Sequence, residues 1–308
     1  MAEKSREKLL RVNRERVAIV TTSYPERPGD PAGHFVEAEV HALEAAGAEV
    51  HVFALRGVAF GWPGVASRVR EKPWLTVSAA REAMHVSREL RRNEPFSRVI
   101  AHWAIPSAWP IARYISNVEV VSHGGDVRLL IALPALARNR LFARIMQNAS
   151  IWRFASEPLR DELLVALASE QRRRLERIAK VVAPAITIDV DARGIATARS
   201  RQRALAGSMP AYVTAARLVP SKRIDRAIAI AARDHATLLV IGEGPERENL
   251  ERQTRERRAN AYFLGHLTRP ETLAHIAAAD ALVHTSQAEG LSSVVREAEH
   301  FGTRIIRA

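Results

Sequence analysis

Two glutamates frame the segment with the clearest chemical signal. Glu289 and Glu297 bound the stretch EGLSSVVRE, which follows a predicted strand and opens a predicted helix. Ser292 or Ser293 is a suitable N-cap, and the free N–H groups of the first helical turn can hold an anionic group. Both carboxylates can then face one ligand, and each can accept two hydrogen bonds from sugar hydroxyls. On spacing alone, a capped helix with a solvated glutamate is the competing interpretation.

A pair of cations follows another predicted strand. Arg217 ends the run AYVTAARL (211–218), and Lys222 lies at the start of the next predicted helix. An arginine acting as a bidentate fork and a lysine acting as a point charge can together neutralise a diphosphate beside a helix N-terminus. Cations are common on protein surfaces, so the pair also fits a solvated surface.

Glycines and an imidazole lie at strand ends in the first half of the chain. Gly33 belongs to GDPAGH (29–34), which leads from a strand to a helix, and a glycine there permits close approach of the backbone to a ligand. His123 belongs to SHGGD (122–126), which places its imidazole beside glycines at a predicted sheet edge. A lone histidine is equally compatible with packing or surface exposure.

Other patterns fail on their context. Asp189 and Asp191 match the two-carboxylate pattern of metal-dependent sugar transferases, but they lie in a predicted connecting segment rather than a strand-end loop. His34, Glu37 and His41 can share a helical face, yet they lack the i, i+4 histidine pair of zinc proteases. No G-x-S-x-G elbow and no glycine-rich P-loop with lysine occur. We therefore expect no metal site.

Hydrophobic periodicity predicts the elements that position these residues. Short β-branched runs alternate with longer Ala/Leu/Arg segments of helical character, which indicates parallel α/β sheets. The predicted strands are 16–23, 49–56, 97–104, 118–125, 151–157, 180–186, 211–218, 237–244, 261–267, 281–286 and 303–308. Predicted helices fill the gaps, notably 35–46 and 127–148.

The two series of strands predict an α/β fold of two Rossmann-like, doubly wound domains. A polar, arginine-rich segment at 189–209 breaks the pattern, so it is predicted to connect a domain over 1–188 with one over 210–308. In such sheets, ligands bind beyond the carboxyl ends of the strands. We therefore expect the two domains to face one another across a ligand-binding cleft.

The composition excludes several classes of protein. The chain has 308 residues, 47% of them hydrophobic, so it can bury a sizeable core. It has no cysteine, which excludes disulfides, thiolate chemistry, zinc ribbons and iron–sulfur clusters and fits a reducing cytoplasm. No apolar stretch is long enough to span a bilayer, and the N-terminal residues lack a hydrophobic signal core. We expect a cytoplasmic protein.

The net charge of +12 favours acidic partners. A phosphate-bearing ligand and an anionic membrane surface both fit, while an arginine-rich genome would explain the charge without any partner. Arg91-Arg92, Arg172-Arg173-Arg174 and the basic N-terminal tail are the clusters that would contact the inner face of a membrane peripherally. We expect no nucleic-acid partner.

Taken together, these motifs resemble the retaining glycosyltransferases of family 4, which have the GT-B fold of two facing Rossmann-like domains. The order and spacing of several segments along most of the chain carry the resemblance. In the first half they are TTSYP with GDPAGHFVEAEVHALEAAGAEVHVFAL, AHWAIPSA, SHGGDVRLL and SEPLRDELL. In the second half they are ARLVPSKRIDRAI, LLVIGEGPERENLE, FLGHL and AEGLSSVVREAEHFGT.

The resemblance implies a nucleotide-sugar donor bound mainly by the second domain. Arg217 and Lys222 would hold its diphosphate, and the N–H groups of Ser292, Ser293 and Val294 would cap the phosphates. The leaving nucleoside diphosphate would then be stabilised without a metal or any further cofactor.

The same resemblance implies roles for the remaining residues. Glu297 would bind the ribose hydroxyls, Glu289 would contact the donor sugar, and the segment from Gly265 to Leu267 would lie against the base. Across the cleft, His123 would lie by the transferred sugar and Gly33 by the phosphates. The implied reaction is a retaining, metal-independent transfer of a hexose to a glycan or lipid-linked acceptor, in which the donor phosphate takes the acceptor's proton.

Three features depart from the family pattern. Ser221 and Arg223 flank Lys222 where the family usually has Glu and Gly, and the connecting segment reads APAITID where the family often has Asn-Gly. The chain also ends at FGTRIIRA, without the further strand, glycine-rich loop and closing helix of a complete second domain. An incomplete second domain would suit a degenerate relative that binds nucleotide or a partner protein without turnover. A sugar epimerase of GT-B fold is a third interpretation. The donor base, sugar, acceptor and oligomeric state stay open.

Overall fold

All the predicted strands form, and they make two parallel sheets. The computed structural model describes residues 15–30, 32–60, 65–286 and 291–308. Within these residues the first sheet has the order β2-β1-β3-β4-β5-β6, and the second has the order β11-β10-β7-β8-β9. Strands β1 to β6 are Arg16–Thr21, Glu49–Ala54, Arg98–His102, Val118–Ser122, Ala149–Phe154 and Ala179–Val181. Strands β7 to β11 are Ala211–Ala215, Thr237–Ile241, Ala261–Gly265, Ala281–His284 and Arg304–Arg307. The α/β fold class is confirmed.

The central strands are predominantly apolar because both faces of each sheet are covered. Every residue of β4 and β8 is buried, as expected of parallel sheets between helices. The strands end earlier than predicted because the chain turns away at their carboxyl ends. Gly242, directly after β8, has φ +125°, which breaks the extended conformation.

The helices of the first sheet form with one correction. They are α1 to α8, at His34–Ala45, Val65–Glu71, Leu75–Arg92, Trp109–Ile111, Gly125–Ala132, Ala135–Met146, Glu157–Ala166 and Ser169–Ile178. The helix predicted over 35–46 is confirmed as α1. The single helix predicted over 127–148 is wrong, because Leu133 and Pro134 are extended and divide it into α5 and α6. A proline has no N–H and disfavours a helical residue before it.

The helices of the second sheet include one that lies inside the predicted connecting segment. They are α9 to α13, at Ala192–Ala206, Ile224–Arg233, Arg247–Glu256, Arg269–Ala278 and Ser293–Phe301. Within the segment 189–209, helix α9 begins where the Asp191 side chain accepts a hydrogen bond from the Gly194 N–H at 2.7 Å, and the role of this segment as a connection stays a prediction. Buried Gln202 donates to the His275 carbonyl at 2.8 Å, which joins α9 to α12.

The chain divides into two compact units, each built on one sheet. The first unit runs to Ala185 without 25–31, and the second runs from Ile186 and includes 25–31. Trp152 lies in the core of the first unit, with its ring 5.6 Å from that of Phe142 and 5.9 Å from that of Phe154.

Each sheet has a point where the winding direction reverses. In the first sheet the reversal lies between β1 and β3, and in the second it lies between β7 and β10. The connections that leave such a pair of strands run to opposite sides and open a crevice at the carboxyl edge. The topology therefore selects the loops after these strands as candidate binding loops.

Candidate functional site

A small pocket lies at the reversal point of the second sheet. Its volume is about 20 Å³, and it is lined by the ends of β7 and β10 together with Lys222 and Val294. The Thr285 hydroxyl donates a hydrogen bond to the Lys222 carbonyl at 2.8 Å. The turn that carries Lys222 is thus joined to the loop after β10.

The loop that carries Arg217 is held by hydrogen bonds that continue the sheet. The Ala216 N–H donates to the Ile241 carbonyl at 3.0 Å, and the Leu218 N–H donates to the Glu243 carbonyl at 2.9 Å. Gly242 and Gly244 make this close approach possible, because a Cβ atom on either would overlap the carbonyl of Ala216 or Leu218. Arg217, between the two anchored residues, is exposed.

Arg223 adopts the conformation that a glycine would favour at its position. Its φ of +50° and ψ of +44° are left-handed, and its guanidinium reaches the Asp225 carboxylate at 3.0 and 2.9 Å. That hydrogen bonding lowers the pKa of Asp225. The position can therefore depart from the glycine of the resembling family, because the ion pair offsets a conformational cost of about 1–2 kcal/mol.

The helix N-terminus predicted to cap phosphates begins as expected. Helix α13 starts at Ser293, and Ser292 occupies the N-cap position. In the described stretch 291–308, the Ser292 side chain makes no capping hydrogen bond to this helix. Its first-turn N–H groups are therefore not satisfied by that hydroxyl. Glu289 lies outside the described residues.

Glu297 is buried rather than solvated. Glu297 is 1% exposed, so the alternative interpretation of a solvated glutamate is wrong. Its carboxylate forms an ion pair at 2.8 Å with Arg269, at the start of α12. Burial raises the pKa of Glu297, while Arg269, Arg296 and a hydrogen bond from Ser293 act in the opposite direction.

Arg269 joins three separate segments within the second unit. Besides the ion pair with Glu297, its Nη2 donates to the Thr187 carbonyl at 3.2 Å. Its backbone N–H donates to the Gly29 carbonyl at 2.7 Å. Nothing in the local pattern RPETL indicates this role, because all three partners are distant in sequence.

Gly265 is the last residue of β9 and Leu267 follows that strand, on the far side of β8. Gly265 has φ +74°, and its carbonyl accepts a hydrogen bond from the Gly242 N–H at 2.8 Å. Leu267 is partly buried against the core that includes Ile241. The role of both residues beside a base stays a prediction.

The packing of neighbouring backbone requires a glycine at position 33. It has φ +75° at the N-cap position of α1, and a Cβ atom there would overlap the Ser23 carbonyl and the Tyr24 backbone. Close packing of these segments thus explains the glycine without a ligand. Its predicted place beside phosphates is not tested by this contact.

His123 belongs to a cluster of rings at the carboxyl ends of β3 and β4. Its Nε2 lies 3.0 Å from Nδ1 of His102. Its ring centroid lies 4.6 Å from that of Phe35 and 4.9 Å from that of Trp103. Burial lowers the pKa of His102 to about 3, and burial followed by His102 and Arg153 lowers the pKa of His123 well below its ordinary value. Both imidazoles are therefore neutral at neutral pH.

Buried Asp126 holds the turn that carries His123. Its carboxylate accepts hydrogen bonds from the Ala104 N–H at 2.8 Å and the Ser122 hydroxyl at 2.7 Å. It also accepts from the N–H groups of His123 and Gly124, both at 3.2 Å. Burial raises the pKa of Asp126 although these hydrogen bonds act to lower it. The residue rigidly connects the loops after β3 and β4.

The residues of the metal-binding patterns considered above are not arranged as metal ligands in the part of the chain that the structure describes. Asp191 is the N-cap of α9. Among the residues that the structure describes, no three His, Asp or Glu side chains are grouped so that they could hold a metal ion. In the same residues, no helix is both long and apolar enough to cross a membrane.

The second unit matches a known sequence family. Residues 197–307 fit the family described as Glycosyl transferases group 1. This match covers the C-terminal part of the chain and includes Arg217, Lys222 and Glu297.

One relative also matches part of the chain. A GDP-mannose-dependent alpha-mannosyltransferase of Mycolicibacterium smegmatis is 32% identical over 90 residues, which are 29% of this chain and 23% of the relative. This chain therefore matches about a quarter of the relative's length.

Solved structures share the fold. Sucrose-phosphate synthase from Thermosynechococcus elongatus is similar with a TM-score of 0.72 at 19% identity, over 96% of this chain and 81% of that one. HepE of Anabaena in complex with UDP-glucose has a TM-score of 0.65 at 17% identity, over 95% of this chain and 80% of that one. At these identities the likeness establishes the fold alone.

Three residues that contact or hold the predicted site residues were not identified from the sequence. His102 lies in AHWAIPSA, Asp126 in SHGGD and Arg269 in RPETL. His102 lies near the carboxyl end of a predicted strand, as His123 does, so knowledge that β3 and β4 are adjacent would have paired them. Arg269 carries no comparable signal.

Proposed function

We propose that the protein is a retaining, metal-independent glycosyltransferase that transfers a hexose from a nucleotide-sugar to a glycan or lipid-linked acceptor. The observation that supports this most is the site at the reversal point of the second sheet, inside the segment that matches the Glycosyl transferases group 1 family. There Lys222 lines the pocket beside the start of α13, and Arg217 leaves a backbone fixed on both sides.

Each group at this site suits one part of a nucleotide-sugar. Arg217, Lys222 and the first-turn N–H groups of α13 offer positive charge to a diphosphate, whose negative charge grows as it leaves. The Glu297 carboxylate can accept hydrogen bonds from two vicinal ribose hydroxyls. With this charge supplied by the protein, the donor phosphate can take the acceptor's proton, and neither a metal nor a protein nucleophile is required.

The donor to test first is GDP-mannose, because the mannosyltransferase relative is GDP-mannose-dependent. Donors of each base and hexose are screened by thermal shift, since a ligand that binds only the folded state raises its melting temperature. Transfer from the labelled donor is then measured, with the anomeric configuration of the product and the effect of a chelator. Binding without transfer or hydrolysis would favour a non-catalytic binding module, and inhibition by chelator reversed by manganese or magnesium would overturn metal independence.

We also propose a peripheral contact with an anionic membrane on the cytoplasmic side, through helix α3. The buried face of α3 packs on the core through Leu75, Ala79, Ala83, Val86 and Leu90. The opposite face alternates exposed apolar and basic side chains at helical spacing. These are Trp74, Val77, Arg81, Met84, Arg88 and Arg91.

The exposure of this face supports a lipid partner. Trp74 is 67% exposed, Val77 64% and Met84 47%. Each arginine can contribute about 1 kcal/mol of binding free energy by contacting phosphate headgroups. The apolar side chains can insert at the boundary between the headgroups and the acyl chains. Arg92 and Arg172 to Arg174 are also exposed, whereas residues 1–14 of the basic tail lie outside the described residues.

Sedimentation with vesicles tests the membrane contact. The protein should sediment with vesicles rich in anionic lipid at low salt, be released as salt rises and ignore neutral vesicles. Trp74→Ser with Val77→Ser should weaken this binding without affecting donor binding, and Val165→Ser, a change at an exposed site on another helix, is the control. Equal partitioning onto neutral vesicles, or none onto anionic ones, would contradict the proposal.

A further inference from the structure

The two imidazoles at the ends of β3 and β4 share one hydrogen bond. His102 and His123 lie with an angle of 6° between their rings, and Nδ1 of the first is 3.0 Å from Nε2 of the second. Because both rings are neutral, one of these nitrogens carries the proton and the other accepts it. The direction of this hydrogen bond sets which nitrogen of His123 carries a lone pair.

Glu39 decides that direction. Its Oε2 lies 3.6 Å from Nε2 of His102, and its Oε1 pairs with Nη2 of Arg153 at 2.7 Å. The guanidinium holds the carboxylate in place through this ion pair. An anion facing an N–H is attracted, whereas an anion facing an imidazole lone pair is repelled. His102 therefore carries its proton on Nε2, and its Nδ1 accepts.

We propose that His102 is a positioning residue that fixes His123 as the Nε2–H tautomer, so that Nδ1 of His123 accepts a hydrogen bond from a hydroxyl of the donor sugar. The chain of contacts runs from Arg153 through Glu39 and His102 to His123. The sugar contact rests on the proposed function, but the tautomer does not, since it follows from contacts inside the first unit.

The surroundings keep both rings in this arrangement. His102 is 1% exposed, and the rings of Phe35 and Trp103 pack against His123. Trp103 has φ +71° and ψ +119°, an unfavourable conformation for a residue with a side chain. Its N–H donates to the Val121 carbonyl at 2.7 Å. Packing that maintains a strained residue beside His123 is consistent with a preorganised site.

Nitrogen-15 NMR of histidine-labelled protein tests the tautomer without any ligand, because protonated and bare ring nitrogens have distinct shifts. His123→Asn identifies the signals by their loss. We expect His123 with a proton on Nε2 and none on Nδ1. The opposite tautomer, or an equal mixture, would overturn the proposal whatever the activity.

Substitutions separate positioning from packing. In His102→Asn the amide oxygen can replace the accepting Nδ1, whereas His102→Leu keeps bulk without an acceptor. The asparagine variant should keep the tautomer of His123, and the leucine variant should show both tautomers. Glu39→Gln, which removes the charge, should also admit the second tautomer. A single unchanged tautomer in both His102→Leu and Glu39→Gln would show that neither residue sets it.

Donor kinetics test the sugar contact. We expect His102→Leu to lower kcat/KM for the donor in proportion to the fraction of His123 that loses the Nε2 proton, which is about twofold for an equal mixture of tautomers, with His102→Asn near the parent value. Affinity for the free nucleoside diphosphate should not change in either variant. If the tautomer is as expected but the variants do not differ in kcat/KM, the sugar contact is wrong. If the parent binds no nucleotide-sugar, the proposed function fails while the tautomer stands.

Discussion

The ion pair between Arg269 and Glu297 predicts a stability effect that must be separated from ligand binding. Glu297 is 1% exposed, the Arg269 side chain is 11% exposed, and the charged atoms are 2.8 Å apart. Removal of one partner leaves the other charge buried, which costs about 3–5 kcal/mol. Replacement of both by apolar residues of similar volume removes that penalty. We therefore expect Glu297→Met or Arg269→Met alone to destabilise more than the two together.

Thermal and urea unfolding of the four proteins measure this coupling. Each single variant should lower the melting temperature by at least about 6 °C, because 1 kcal/mol corresponds to at least about 2 °C for folded units of up to about 250 residues. The double variant should recover most of the loss. Additive losses, within about 0.5 kcal/mol, would refute the claim that each charge needs the other.

The same pair determines how the role of Glu297 in binding should be tested. Glu297→Gln keeps the shape of the side chain and loses its charge, so it gives a better comparison than an alanine. Below the melting temperature of every variant, calorimetry should show weaker binding of the nucleotide by Glu297→Gln and a smaller preference for ribose over 2′-deoxyribose. A hydrogen bond to a charged group contributes roughly 1.5–3 kcal/mol. Unchanged nucleotide affinity would reject the ribose contact.

Three more outcomes are expected. The pKa of buried His102 is lowered from 6.5 to about 3, so the folded state binds this proton less tightly than the unfolded state. Stability should then fall as the pH falls below about 6.5, by roughly 2 kcal/mol at pH 5 in urea unfolding, and His102→Leu should reduce this slope. Gly242→Ala should destabilise the protein by about 1–3 kcal/mol more than Gly47→Ala. Both glycines have positive φ, but only at position 242 would the new Cβ atom overlap another residue, at the Ala216 carbonyl. Equal losses of stability in urea unfolding would contradict this. Arg217→Ala and Lys222→Ala should each weaken calorimetric binding of a nucleoside diphosphate at least tenfold and leave the nucleoside unaffected, and equal losses for both ligands would point to unfolding instead.

The strands were predictable because burial on both faces of a parallel sheet leaves a continuous apolar run. Leu238–Ile241 in β8 is such a run, and it is buried throughout. Helix α9 was not predictable in the same way, because its arginines and Gly194 obscure the helical period. That helix depends on the Asp191 cap and on Gln202 contacting α12, and neither contact is local enough to appear in a hydrophobic pattern.

The candidate sites were predictable only in part. Strand ends located Arg217, Lys222 and His123 because parallel strands bring their carboxyl ends to one edge. The partners of the buried groups were missed. Arg269 beside Glu297 and Glu39 beside His102 are long-range contacts, which depend on the order of the strands and the placement of the helices rather than on spacing in the sequence.

The hydrogen bonds that extend the second sheet past β7 and β8 also affect the thermodynamics of binding. The amides of Ala216 and Leu218 are bonded to β8 and its following loop, so they should exchange slowly with solvent before any ligand arrives. Ordering a flexible backbone on binding would cost about 1–2 kcal/mol per residue, and this loop is ordered already. Affinity for the ligand should then depend on the side chains of Arg217 and Lys222. An insertion between residues 216 and 218 should abolish ligand binding because it disrupts the backbone of the loop, even where both cations are retained.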